Sequence, residues 1–157
     1  MEIAFVQTPL GIAEIIGDAE GPTGVTLIDN NEPISTFIPA VLTTAIYQLK
    51  EYFEGARTTF NLPLKLTGIP FQKKVWKTLQ EIPFGSTISY LALSKTIGDF
   101  RVVRAVAAAN GKNLLWIIIP CHRVIGSDGS LTGYAGGLHR KKWLLAHECN
   151  SEQLSFF

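Results

Sequence analysis

The stretch from Asn61 to Pro70, "NLPLKLTGIP", constrains this chain most: two prolines and a glycine in ten residues, with no sustained hydrophobic period, leave little room for helix or strand. Segments on either side must bury their own apolar surface. The chain is therefore expected to fold as an N-terminal domain over 1–62 and a C-terminal domain over 71–157, with 63–70 as linker. A chain of 157 residues suffices for one ordinary domain or two small ones without a disulfide or a metal. Charge divides at the same place. Residues 1–70 hold 3 Lys/Arg against 8 Asp/Glu, whereas residues 71–157 hold 11 against 5, so a net charge of +1 conceals halves of −5 and +6. A basic half is what a polyanion such as nucleic acid would meet, and equally what a solvated lysine face looks like.

Before the break, "IAFVQT", "IAEIIG" and "GVTLID" are short β-leaning runs punctuated by Pro9, Gly11, Gly17, Gly21, Pro22 and Gly24, which predicts three hairpin-linked strands. Phe37, Val41, Leu42, Ala45, Ile46, Leu49 and Phe53 then recur at helical spacing, with Ser35 as the expected cap, Pro39 near the first turns and Gly55 as the stop. One helix on one small sheet is the expectation.

After the break, Phe71, Val75, Trp76 and Leu79 give a helix its apolar face, with Lys73, Lys74 and Lys77 on or near the other. "SYLALSKTIGD" and "RVVRAVAAANGKN" read as two short helices around Gly98, capped by Ser89 and Asp99. Their lengths fit a helix-turn-helix as well as a helical hairpin of no such use. The alanines of the second let a backbone approach a groove, with Arg101 and Arg104 reaching out. "LLWIIIP" reads as a buried strand, and "LHRKKWLLAHE" as a last helix after a glycine-rich loop.

The strand ends in Pro120-Cys121-His122-Arg123. A cysteine at the end of an apolar run is by default a small buried hydrophobe. Pro120 should turn the chain out of the sheet, and the polar neighbours His122 and Arg123 are expected to lower the thiol's pKa below about 8.5, making Cys121 a credible nucleophile. His122 is a base only if something orients it; Glu148 is the acidic candidate, or else a surface residue. The scattered histidines and lone Cys149 form no metal cluster, no run nears the roughly 18 apolar residues of a membrane span, and the N-terminus shows no signal-like stretch. A cytoplasmic globular protein without metal or cofactor is expected.

"PFGSTISYLAL", "RAVAAANGKN", "IPCHRVIG" and "GSLTGYAGGLHRKKWLLAHE" resemble, in this order and spacing, the O6-alkylguanine-DNA alkyltransferases. The resemblance is dense over the C-terminal half and extends only to layout over the N-terminal domain. It implies an α/β (α+β) fold: a small ribonuclease-H-like sheet-plus-helix domain, then a mostly helical domain with a helix-turn-helix. It implies that Cys121 takes an alkyl group from guanine O6 and keeps it as a thioether, without cofactor. His122 and Glu148 would withdraw the thiol proton through a water, Asn113 would join the recognition helix to the active-site turn, and Tyr90 would donate toward the flipped base. Arg104 would fill the gap in the stack, beside Ala105, Arg101, Ser89 and Tyr90 on the DNA face. Val124 would offer its main-chain carbonyl to the guanine amino group, and Tyr134, Ala135 and Gly136 would belong to the pocket loop. Ala135 stands where some members carry serine, which leaves a main-chain N–H contact. The implied partner is double-stranded DNA bearing O6-alkylguanine, entered from the minor groove by a monomer capable of cooperative assembly, with no membrane involved. From the residues alone Tyr90 reads equally as a core tyrosine. Two other readings remain: a helix-turn-helix damage sensor without transfer, whose known examples lack the cysteine, and a cysteine hydrolase, which adjacent Cys and His on an extended segment disfavour.

Overall fold

The computed structural model describes residues 1–149, which divide into two compact units, Met1–Thr67 and Gly68 onward. In the first, strands β1 (Glu2–Thr8), β2 (Gly11–Asp18) and β3 (Gly21–Ile28) form an antiparallel meander in the order β1-β2-β3. Alternation places Ala4, Val6, Ala13, Ile15, Val25 and Leu27 in the core, as period-two patterning requires. Both turns are tight: Thr8 Oγ1 donates to the Gly11 carbonyl at 2.7 Å, and Asp18 Oδ1 accepts from Glu20 N–H at 2.9 Å. Gly21 follows at φ +125°, where a Cβ would lie 2.0 Å from the Pro63 carbonyl oxygen, so only glycine fits.

Helix α1 (Thr43–Phe53), entered through a 3-10 turn at Ala40–Leu42, buries Leu42, Ala45, Ile46, Leu49 and Tyr52. It starts later than Ser35 would have it. Ser35 caps no helix: its N–H donates to the Phe5 carbonyl and its Oγ accepts from Phe5 N–H, both at 2.9 Å, so it extends the edge of β1. Phe37, expected on the apolar face, is exposed. The chain after α1 stays on this unit: Gln48 exchanges hydrogen bonds with the Asn61 backbone, and Lys65 pairs with Asp18 and Glu20.

The second unit is mostly helical. Helix α2 (Pro70–Leu79) places proline at its first position and buries Val75, Trp76 and Leu79, leaving Lys74 and Lys77 exposed. Trp76 Nε1 donates to the Ala109 carbonyl at 2.8 Å and ties α2 to a later helix. Helices α3 (Tyr90–Ile97) and α4 (Val103–Gly111) flank a short turn. Ser89 Oγ accepts from Ala92 N–H and caps α3, while Asp99 Oδ1 accepts from Arg101 N–H and caps the 3-10 turn that precedes α4. Strands β4 (Ile88–Ser89) and β5 (Val124–Ile125) pair in parallel, and α5 spans Leu138–Glu148.

The expected strand "LLWIIIP" is corrected. Leu115 to Ile119 are buried, yet apart from an isolated bridge at Leu115 they form turns. Their backbone bonds are local, Ile118 N–H to the Trp116 carbonyl and Ile119 N–H to the Leu115 carbonyl, and Asn113 Oδ1 takes Leu115 N–H at 2.9 Å. An apolar run without a period marks burial but not the conformation beneath it. Ile117 adopts φ +74°, a left-handed conformation that a β-branched side chain tolerates only under tight packing.

Candidate active site

Pro120 ends these turns, and Cys121–Arg123 form one turn of 3-10 helix, with Cys121 4% exposed. Asn113 organises the approach: its Nδ2 lies 2.9 Å from the Ile119 carbonyl and 3.2 Å from Cys121 Sγ, and its own carbonyl accepts from Trp116 Nε1. His122 is fully buried, with Nε2 2.7 Å from Glu148 Oε2. Arg123 Nε and Nη2 donate to Glu148 Oε1 and Oε2 at 2.7 and 2.9 Å, and Nη1 donates to the Ile82 carbonyl at 2.7 Å. One carboxylate thus holds both side chains that follow the cysteine, and β5 continues from the same turn.

The electrostatics follow from burial. Burial alone would raise the Glu148 carboxyl, but the hydrogen bonds from His122 and Arg123 and the Arg123 charge outweigh it and hold the group well below the usual carboxylate range. Burial lowers His122 more than Glu148 raises it, so the imidazole is neutral. With an anionic carboxylate accepting at Nε2, that nitrogen carries the hydrogen and Nδ1 keeps a lone pair, which has no partner among the described residues. The Cys121 thiol is pushed up to about 11 by burial, against the opposing Asn113 hydrogen bond and Lys141 charge. This corrects the expectation of a lowered thiol: Arg123 spends its charge on Glu148 and His122 has none to give. Cys121 rests protonated and needs a base to become a nucleophile.

A cavity of about 530 Å³ reaches Cys121. Of the residues expected at the site, Tyr90, Arg104, Asn113, Tyr134 and Ala135 line it with the cysteine; His122 and Glu148 lie outside its walls. The Tyr134 ring tilts against Trp116 with centroids 5.6 Å apart, and its hydroxyl is buried with no partner among the described residues. Gly136 is buried beside both rings, and a Cβ there would meet Tyr134 at 2.8 Å and Trp116 at 2.9 Å. Arg104 and Ala105 are exposed on α4, whereas Ala109, expected among the groove-facing alanines, is core. Arg101 is exposed and pairs with Asp99 at 2.9 Å.

Three residues escaped the sequence reading. Arg123 shows in the sequence only as local polarity. Lys141 is fully buried in α5, donating from Nζ to the carbonyls of Val124 at 2.6 Å, Thr132 at 2.7 Å and Gly133 at 3.3 Å; burial lowers its pKa to about 8. The spacing held the signal: Lys141, Leu144, Leu145 and Glu148 recur at i, i+3, i+4 and i+7, one helical face. Asn110 lines the cavity from the end of α4.

Two helices about a short turn, the second walling a cavity that ends at a buried, hydrogen-bonded thiol, fit a DNA-binding, group-accepting class of protein. Comparison with known proteins makes the assignment specific. Residues 1–66 match the ribonuclease-like domain, and residues 70–150 the DNA binding domain, of 6-O-methylguanine DNA methyltransferase. A methylated-DNA–protein-cysteine methyltransferase of Mycolicibacterium paratuberculosis is 43% identical over 152 residues, covering 94% of this chain and 92% of its own. The crystal structure of Mycobacterium tuberculosis O6-methylguanine methyltransferase superposes with a TM-score of 0.83 at 40% identity, covering 94% of this chain and 92% of that one. The same organism's OGT in complex with DNA gives 0.86 at 38% identity, covering 99% and 94%. The chain belongs to the 6-O-methylguanine DNA methyltransferase family, with both of its domains and the mixed α/β fold.

Proposed function

We propose that this protein repairs double-stranded DNA by transferring the alkyl group of O6-alkylguanine, once and irreversibly, to Cys121. The observation that carries the reading is the cavity that ends at Cys121, with Asn113 Nδ2 on the sulfur and His122, next in the same turn, paired with Glu148 at the end of α5. The thiol proton passes through a bridging water to the free lone pair of His122 Nδ1. The sulfur then attacks the alkyl carbon opposite O6: an S–C bond forms, the C–O bond breaks, and its electron pair spreads into the purine. The Asn113 amide supports the developing thiolate, and the Tyr90 hydroxyl donates a hydrogen bond to the leaving base. The Val124 carbonyl, which already accepts from Lys141, has a second lone pair for the guanine amino group. Ala135 offers its main-chain N–H toward O6, while Tyr134 and Gly136 shape the pocket. Release of the alkyl group from the thioether would expel a thiolate from an sp3 carbon, so each molecule acts once, with no cofactor or metal.

A base inside a duplex is out of reach of this cavity, and everting it costs a few kcal/mol in lost stacking. Arg104, exposed at the cavity mouth, fills the vacated place. Ala105 allows close approach of α4 in the minor groove, while Arg101, Tyr90 and Ser89 face the backbone; the Ser89 oxygen already caps α3, but its hydrogen remains available to a phosphate. The protein binds as a monomer, with copies able to assemble side by side. No helix of the described residues is long and apolar enough to cross a membrane. We place the protein in the reducing cytoplasm, which keeps Cys121 and Cys149 as free thiols.

Titrating the protein with excess lesion-bearing duplex tests the reading: repair should stop at one lesion per protein, and continued turnover would contradict it. Arg104→Ala should slow repair of duplex at least tenfold more than reaction with free O6-benzylguanine. Equal losses would remove Arg104 from base eversion.

A further inference from the structure

Asn110 is the last side chain of the run "AAAN" near the end of α4, 5% exposed, and it lines the cavity. Asparagine is a poorer helix former than the alanines before it, and a buried amide atom with no partner is destabilising. Its Oδ1 is such an atom, buried with no partner among the described residues. Packing therefore gives no reason for an amide here.

Its neighbours do. Nδ2 lies 3.4 Å from the Cys121 carbonyl oxygen and 3.3 Å from the Tyr90 hydroxyl. A carbonyl can only accept, so the nitrogen must face this side and the oxygen the other. One Nδ2 hydrogen goes to Cys121, and the second can only be donated to the Tyr90 oxygen. Thr132, the other hydrogen-bond partner of Tyr90, has a hydroxyl that can give or take a hydrogen. Asn110 is thus the partner that fixes direction: with its N–H on the phenol oxygen, the phenol hydrogen must be donated elsewhere.

We infer that Asn110 is a positioning residue for alkyl transfer, which acts through Tyr90 by aiming the phenol hydrogen at the leaving purine. The inference deepens the alkyl-transfer reading and rests on it. A donor behind the phenol oxygen strengthens the bond the phenol donates in front, and it stabilises the negative charge drawn onto that oxygen as the C–O bond breaks. The two Nδ2 contacts are long, as such bonds often are before substrate enters.

The test is a single-turnover cycle on lesion-bearing duplex with wild type, Asn110→Ala, Tyr90→Phe and the double variant, with duplex affinity measured alongside. Asn110→Ala restores a better helix former, so folding should be retained. Transfer should slow about tenfold, the equivalent of about 1.4 kcal/mol, while duplex affinity stays within twofold. In the Tyr90→Phe background the same substitution should change the rate less than twofold. An equal tenfold loss in both backgrounds would overturn the inference while leaving the Tyr90 role intact. Wild-type rate in Tyr90→Phe would instead remove the Tyr90 role itself, and the inference with it. Asn110→Asp keeps the shape but puts an acceptor against the phenol oxygen, turning its hydrogen away from the base. It should be slower than Asn110→Ala, and a rate at or above wild type would also overturn the inference.

Discussion

The two units of this molecule handle polar groups in opposite ways. In the first, Gln48 is the only buried polar side chain among the described residues, and the ion pairs, Arg57 with Glu51 and Lys65 with Asp18 and Glu20, keep contact with solvent. In the second, Asn110, Asn113, His122, Arg123, Lys141 and Glu148 are all buried within the turn, loop and helices around one cysteine. Desolvating charges is costly even when they are paired, and an apolar core of the same shape would often be as stable. The contrast teaches that the first unit buries an almost wholly apolar core, whereas the second retains a costly polar cluster, which the proposed transfer chemistry would use.

The largest effect that would sharpen this contrast is loss of a buried partner. Arg123→Ala removes both guanidinium hydrogen bonds to the buried Glu148 carboxylate, and should cost about 3–5 kcal/mol in urea unfolding, as for other broken buried pairs. Its first-unit counterpart, Arg57→Ala, removes a half-exposed pair and should cost about 0–1 kcal/mol. Comparable costs would erase the distinction.

A smaller effect is a pair of opposing pH dependences. Lys141 is lowered in the folded state to about 8 from 10.5, so the unfolded chain holds its proton longer and stability rises with pH across that window. Cys121 is raised from 9.0 to about 11, so the folded state keeps its proton longer and stability falls from pH 9 to 11. The two largely offset each other in the intact protein. Cys121→Ser should expose the rising limb and Lys141→Met the falling one; unchanged slopes in both variants would show that the cluster is not electrostatically set off from its surroundings.

Much of this was legible in the sequence because it is written in local chemistry. Strand alternation, the Ser89 cap and the Pro-Cys-His-Arg order need only near neighbours, and the three predicted strands are present. Glu148 could be named from its place at the end of the last helix, although 26 residues separate it from His122. What stayed hidden depends on burial that no local pattern announces. The turns of "LLWIIIP" are fixed by Asn113, whose side chain supplies what a strand partner would have. Lys141 looks like a surface cation until the helix face it shares with Leu144, Leu145 and Glu148 is counted, Arg123 meets Glu148 only across 25 residues of sequence, and the raised thiol follows from burial that the polar neighbours do not offset.

The central claim is that the sulfur of Cys121 receives the alkyl group. Weighing the peptides of the protein after incubation with duplex carrying O6-methylguanine tests it most directly. One methyl mass on the peptide containing Cys121, absent in Cys121→Ser, is the predicted result; an intact lesion beside an unmodified peptide, or methyl on Cys149 instead, would contradict it.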